Sequence, residues 1–190
     1  MSKSNVAKKQ VQKINPQKFA MWLAIATMVM MFAGFTSGYV VRRAQGQWDV
    51  LQLPPIFIAS TVVIILSSLA MHFSIKAFKK EAFSKFRTLL LSALVLGIAF
   101  SVMQLTGFYE MHEQNVKISG NPSGSFLYII AGIHLLHIVG GIICIVYQLI
   151  KTRHNTTSKD KVVGLEIVGT YWHFVDFLWI YLYLFFTFFR

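Results

Sequence analysis

The residues with types and spacings that could do chemistry gather toward the C-terminal end of the sequence. His134 and His137 stand three apart, as do His173 and Asp176, and Glu166 and Trp172 lie close by. Residues three apart on a helix share roughly one face, so each pair reads as two side chains of one helix. Three chemistries compete for them. A haem or redox-metal site needs histidines on facing helices at matched depth, and only His173 could answer His134 and His137. A His–Asp acid–base pair would need a companion nucleophile, a glycine-rich phosphate loop or a cysteine pair, and none accompanies it. The third chemistry is a satisfied polar cluster that fixes helix packing or holds a lipid headgroup, and the residues favour it.

The elements that position these residues are membrane-length. Of 190 residues, 55% are hydrophobic and only 13% charged. The apolar residues fall in five runs, at about 19–41, 55–75, 88–108, 126–150 and 168–189, each near the roughly 20 residues that carry a helix across a bilayer. The runs are continuously apolar and lack the alternation of a membrane strand. The sequence therefore predicts an all-α integral membrane bundle of five transmembrane helices over residues 19–190, preceded by a basic segment, 1–18. An aromatic content of 15% excludes disorder, and Cys144, the single cysteine, excludes a disulfide framework. In an apolar stretch of the fourth helix, Cys144 reads as a small hydrophobe. If the fourth and fifth helices form an antiparallel hairpin, His137 and Asp176 come within about 5 Å in depth.

The formal charge of +11 would suggest nucleic acid in a soluble chain; here its distribution gives a topology instead. Lys and Arg number five in residues 1–18, two in 42–54, five in 76–87, one in 109–125 and four in 151–167, with Arg190 last. Alternate connections thus place 14 of the 18 on one face. The positive-inside rule puts the N-terminus on the cytoplasmic side and the C-terminus outside, with no nucleic-acid partner implied. Residues 1–18 carry Lys3, Lys8, Lys9, Lys13 and Lys18 without an apolar core, so they resemble an uncleaved cytoplasmic leader.

Smaller features set the frame. Asn15-Pro16, Leu53-Pro54-Pro55 and Asn121-Pro122-Ser123-Gly124 punctuate the entries to helices one, two and four. Gly34 and Gly38 form a small-xxx-small pair, and Gly132, Gly140 and Gly141 surround the two histidines of the fourth helix, all expected to permit close helix packing. Thr27, Thr36, Ser37, Ser60, Thr61, Ser67 and Ser68 are expected to return hydrogen bonds to their own backbone, and His72 to snorkel at its helix end.

Two of these stretches together carry a resemblance. Gly132-Ile133-His134-Leu135-Leu136-His137-Ile138-Val139-Gly140-Gly141 resembles the G-x-H-x-x-H-x-x-G-G helix of subunit III of haem–copper oxidases of the cytochrome c oxidase type. Glu166, followed by Tyr171-Trp172-His173-Phe174-Val175-Asp176-Phe177-Leu178-Trp179, is similar to that family's last helix, with its W-H-F-x-D-x-x-W pattern. The likeness extends over all five helices, Tyr109-Glu110 included, and matches the short bacterial form that lacks the first two of seven helices. One departure stands out: Met28 occupies the place of an acidic residue usual in the first helix of the short form.

The resemblance implies an accessory subunit that holds no haem or copper of its own. Such a subunit packs against catalytic subunit I, with subunit II and their haem and copper nearby, binds structural phospholipid in a cleft, and supports proton uptake in a proton-pumping terminal oxidase. It implies the bacterial inner membrane and allows a larger respiratory supercomplex. His134, His137, Glu166, Trp172, His173 and Asp176 become a buried polar network or lipid contact. The same subunit in a quinol oxidase or nitric oxide reductase complex is the alternative. A small independent transporter is a remoter one, disfavoured by the lack of an internal repeat.

Overall fold

The computed structural model describes residues 15–46, 53–114, 122–153 and 158–189. They form five α-helices: α1 (Pro16–Ala44), α2 (Ile56–Lys79), α3 (Phe83–Glu113), α4 (Pro122–Lys151) and α5 (Lys159–Phe188). Most of the basic segment 1–18 and of three connections lies outside the described residues. Each helix outruns its apolar run because backbone hydrogen bonding continues into the polar flanks, where helix caps rather than hydropathy set the ends. Asn15 caps α1 through Oδ1, which accepts from Gln17 N at 3.1 Å, with Pro16 in the first turn. Pro122, Ser123 and Gly124, expected in a turn, are the opening turn of α4 instead, since a proline at a helix start loses no hydrogen bond.

The most extensive contact is the α2–α3 hairpin, joined by residues 80–82. Glu81 sits there with φ 58°, the left-handed conformation that usually falls to glycine. Its N–H donates to Phe78 O at 3.0 Å, and Ala82 N donates to Ala77 O at 3.0 Å, which together close the C-terminus of α2. A left-handed non-glycine residue costs about 1 kcal/mol. Glu81→Gly should therefore stabilise the chain by up to about that amount, read as a higher unfolding midpoint in detergent; a fall would show that the glutamate side chain is needed at the turn.

The hairpin is held by a seven-residue rhythm. On α2 the buried residues are Phe57, Ser60, Ile64, Ser67, Met71, Ser74 and Phe78, large and small in alternation. On α3 they are Phe86, Leu90, Ala93, Gly97, Phe100, Gln104, Gly107 and Met111. Steps of three and four keep one seam facing its partner in left-handed packing, and the small residues let the backbones approach. Ser67 Oγ donates to Ala93 O at 2.9 Å and Ser74 Oγ to Phe86 O at 3.3 Å. Ser60 and Thr61 both return bonds to Phe57 O, as the sequence predicts, but Ser67 bonds across the hairpin because its carbonyl partner is presented there.

α4 follows α3, and α5 packs against α1, α2 and α4, while among the described residues α1 packs on α4 and α5 alone. α1 to α4 are each long and apolar enough to cross a membrane. α5 differs because it packs against three helices: Leu165, Val168, Trp172, Val175, Asp176, Leu178, Trp179, Leu182, Phe185 and Phe186 are all buried, over about half of its circumference. A helix surrounded by protein can carry Trp, Tyr, His and Asp, and these lower its hydropathy.

Candidate functional site

The C-terminal motif residues sit where α5 meets its neighbours, and Trp172 is the most enclosed of them. Its ring is fully buried, and its Nε1 donates to Ser67 Oγ at 3.1 Å. Gly97 of α3 and Gly141 of α4 present bare backbone to the ring: a Cβ added at Gly97 would lie 2.7 Å from Trp172 Cη2, and one at Gly141 would lie 2.9 Å from Cε3. Of the other motif glycines, Gly140 and Gly38 have ordinary contacts, with Tyr171 and Phe126, while an added Cβ at Gly34 or Gly132 would meet nothing within 4 Å. Inside this chain the close approaches fall instead at Gly97, Gly107, Gly141, Gly164 and Gly169.

The histidines of α4 take different surroundings. His134 is 0% exposed, stacked on Trp179 at 5.4 Å between ring centroids and 28° between planes, with Phe32 and Phe100 edge-on; neither ring nitrogen has a hydrogen-bond partner among the described residues. His137 Nδ1 pairs with Ile133 O of its own helix at 2.8 Å, and Tyr171 OH donates to His137 O at 2.9 Å. The two residues thus join α4 to α5 through an aromatic stack and a tyrosine.

His173 and Asp176 do not pair. His173 Nδ1 lies 2.6 Å from Ser68 Oγ on α2, and Asp176, 3% exposed, has no full hydrogen bond to either carboxylate oxygen among the described residues. The depth match of His137 with Asp176 likewise yields no bond, because His137 turns back onto its own helix. In both cases a nearer partner wins: a hydroxyl across the α2–α5 seam, and a carbonyl one turn back. Ser67 and Ser68, expected to bond their own backbone, bond α3 and α5 instead; their place on and beside the buried face of α2 is the signal for it.

Glu166 is the one motif residue in a full ion pair. Lys18 Nζ of α1 and Lys79 Nζ of α2 each lie 2.5 Å from a separate oxygen of its carboxylate, whose side chain is 26% exposed. The hydrogen bond from Lys18, then that from Lys79, hold this carboxyl below the ordinary Glu range. The group binds its proton less readily folded than unfolded, so its contribution is complete above the ordinary Glu value and is lost as pH falls through the lowered one. Partial exposure keeps that contribution under about 1 kcal/mol. Glu166→Gln should accordingly remove a salt-sensitive increment of stability at neutral pH and leave stability unchanged at acid pH. An equal loss at both would point to packing rather than charge.

Lys18, Trp22, His72, Glu166, Thr170 and His173 line a cleft of about 360 Å³ between α1, α2 and α5. It offers one ammonium group, two imidazoles, a carboxylate and an aromatic wall, a set that suits a headgroup bearing both charges. Among the described residues, no three His, Cys, Asp or Glu side chains converge to hold a metal ion.

Fold and site together define a multi-pass helical membrane protein whose polar groups tie helices together around a polar cleft. The family model for cytochrome c oxidase subunit III matches residues 8–190. A probable cytochrome c oxidase subunit 3 of Nocardia farcinica is 31% identical over 169 residues, covering 84% of this chain and 80% of the relative. The cytochrome c oxidase subunit 3 of Corynebacterium diphtheriae is 27% identical over 164 residues, covering 82% and 80%. The chain belongs to the cytochrome c oxidase subunit III family. That membership implies association with other oxidase subunits.

Proposed function

We propose that the chain is the non-redox accessory subunit of a proton-pumping terminal oxidase that reduces O₂ to water. It packs against catalytic subunit I, with subunit II in the same complex, and the haem and copper reside in those partners. All five helices span the bacterial inner membrane, α5 included, with the N-terminus inside and the C-terminus outside. The distribution of Lys and Arg supports this orientation. The names of its relatives favour cytochrome c over quinol as the electron donor of the complex.

The single observation that carries the accessory role is the use of the motif residues. Trp172, His134 and Glu166 are spent on joining α5 to α2, α3, α4 and α1. The cleft beside Glu166 holds phospholipid, its phosphate toward Lys18 and His72 and its amine toward Glu166. With a headgroup seated there, the subunit supports proton uptake by keeping the assembled complex in its active arrangement.

Purification in mild detergent tests this reading. The expected result is co-elution with a large haem-bearing subunit, and retained phospholipid that is lost in the double variant Lys18→Ala, His72→Ala while the haem spectrum stays intact. A colourless, self-sufficient homo-oligomer with solute-uptake activity would overturn it.

A further inference from the structure

Asp176 is a carboxylate at the middle of a helix, almost wholly buried; neither oxygen holds a full hydrogen bond among the described residues, and the hydroxyl that faces it is that of Ser68. An ionised carboxylate left unpaired in apolar surroundings is costly enough that such a group is held as the neutral acid or becomes paired. No cation stands at its depth. Of the helices packed on α5, α1 has no charged residue between Lys18 and Arg42, α4 offers His134 and His137, and α2 offers only His72 before Lys76 and Lys79 at its end. On α5 itself the titratable neighbours are His173 and, further along, Glu166.

Two cavities meet at one side chain. Asp176 lines a cavity of about 190 Å³ with Ser68 and His173, and Ile65, Leu69 and Phe177, all exposed on the outer face of the bundle, form its apolar rim. His173 also lines the polar cleft of Lys18, His72 and Glu166. Its ring lies 6.0 Å from that of His72, and its Nδ1 lies 2.6 Å from Ser68 Oγ. The order from the Lys-bearing end inward is therefore His72, His173, Ser68, Asp176.

We propose that Asp176 is an intramembrane proton-binding site, loaded and unloaded from the polar cleft through His173 and Ser68. In the loading step, protonated His173 gives its Nδ1 proton to Ser68 Oγ as the Ser68 hydroxyl proton passes to an Asp176 oxygen. Neutral imidazole, intact hydroxyl and neutral carboxylic acid result, so one proton has moved and none is gained or lost. Unloading reverses the step. His72 at the cleft supplies or receives the proton of the other ring. The relay is built entirely from α2 and α5, so it needs no other subunit to form.

Infrared spectroscopy of the purified protein, with whatever subunits it carries, tests the site during transfer from H₂O to D₂O. The expected result is a carbonyl band of a protonated carboxylic acid that disappears in Asp176→Asn and shifts on deuteration in the wild type. In His173→Gln and in Ser68→Ala the band should persist while its deuteration slows by roughly a hundredfold, the usual contribution of a positioned acid–base group. If Asp176→Asn does not fold, Asp176→Glu, which keeps the acid, should move the band rather than remove it. A wild type without the band, or deuteration equally fast in both relay variants, overturns the proposal. Haem content and co-eluting subunits, read on the same preparations, report separately on the accessory role.

Discussion

Trp172→Ala is expected to cost about 3–5 kcal/mol, the range for emptying the site of a large buried aromatic ring. Three helices converge on this ring: α2 through Ser67, α3 through Gly97 and α4 through Gly141. In a bilayer the lipid is as apolar as the core, so the loss is one of packing rather than of water avoidance. The polar part is small, since Ser67 keeps its bond to Ala93 O when the indole is gone. Reversible unfolding in mixed micelles measures the change, with Trp172→Phe expected to fall between wild type and alanine. A loss below about 1 kcal/mol would mean that the helices close over the gap, and that the ring is not what sets their spacing.

The second large effect is the converse. Gly97→Ala and Gly141→Ala each drive a methyl group into the same rigid ring, where the nearest ring carbons already lie 2.7 Å and 2.9 Å from the added Cβ. Overpacking of this kind costs about 1–3 kcal/mol. Combining either with Trp172→Phe should recover part of the loss, giving a coupling of about 0.5–3 kcal/mol, because the smaller ring vacates the space that the methyl needs. Strict additivity in that cycle would refute the clamp. Gly34→Ala is the internal control: with nothing within 4 Å of its Cβ, it should leave the isolated chain unchanged or slightly more stable.

How much of this could be read beforehand differs from residue to residue. The helices were legible because apolar runs of membrane length leave few alternatives, although their polar ends were not, since caps such as Asn15 decide them. The motif residues were legible as a group by their spacing. Their partners were not: His173 bonds Ser68 rather than Asp176, a choice set by the register of α2 against α5, which neither helix's own sequence encodes. Ion pairing at Glu166 depends on Lys18 and Lys79, from two other helices, and is hidden for the same reason. The seam of α2 was open to reading, since Ser60, Ser67 and Ser74 recur every seven residues. The low hydropathy of α5 becomes intelligible only once its neighbours are known.

The contact pattern of α1 sets a schedule for biogenesis. This helix leaves the ribosome before α2 to α5, yet it docks on α4 and α5 and makes no seam with α2 or α3 among the described residues. Its Tyr39 OH donates to Phe189 O, one residue past the end of α5. At a synthesis rate of about 5–20 residues per second, α1 must wait of the order of ten seconds in the lipid before its binding surface exists. The α2–α3 hairpin can zip meanwhile, since its partners are consecutive. During that interval α1 is an unpartnered guest of the insertion machinery, and truncations that stop short of α5 should leave it exposed to membrane proteases.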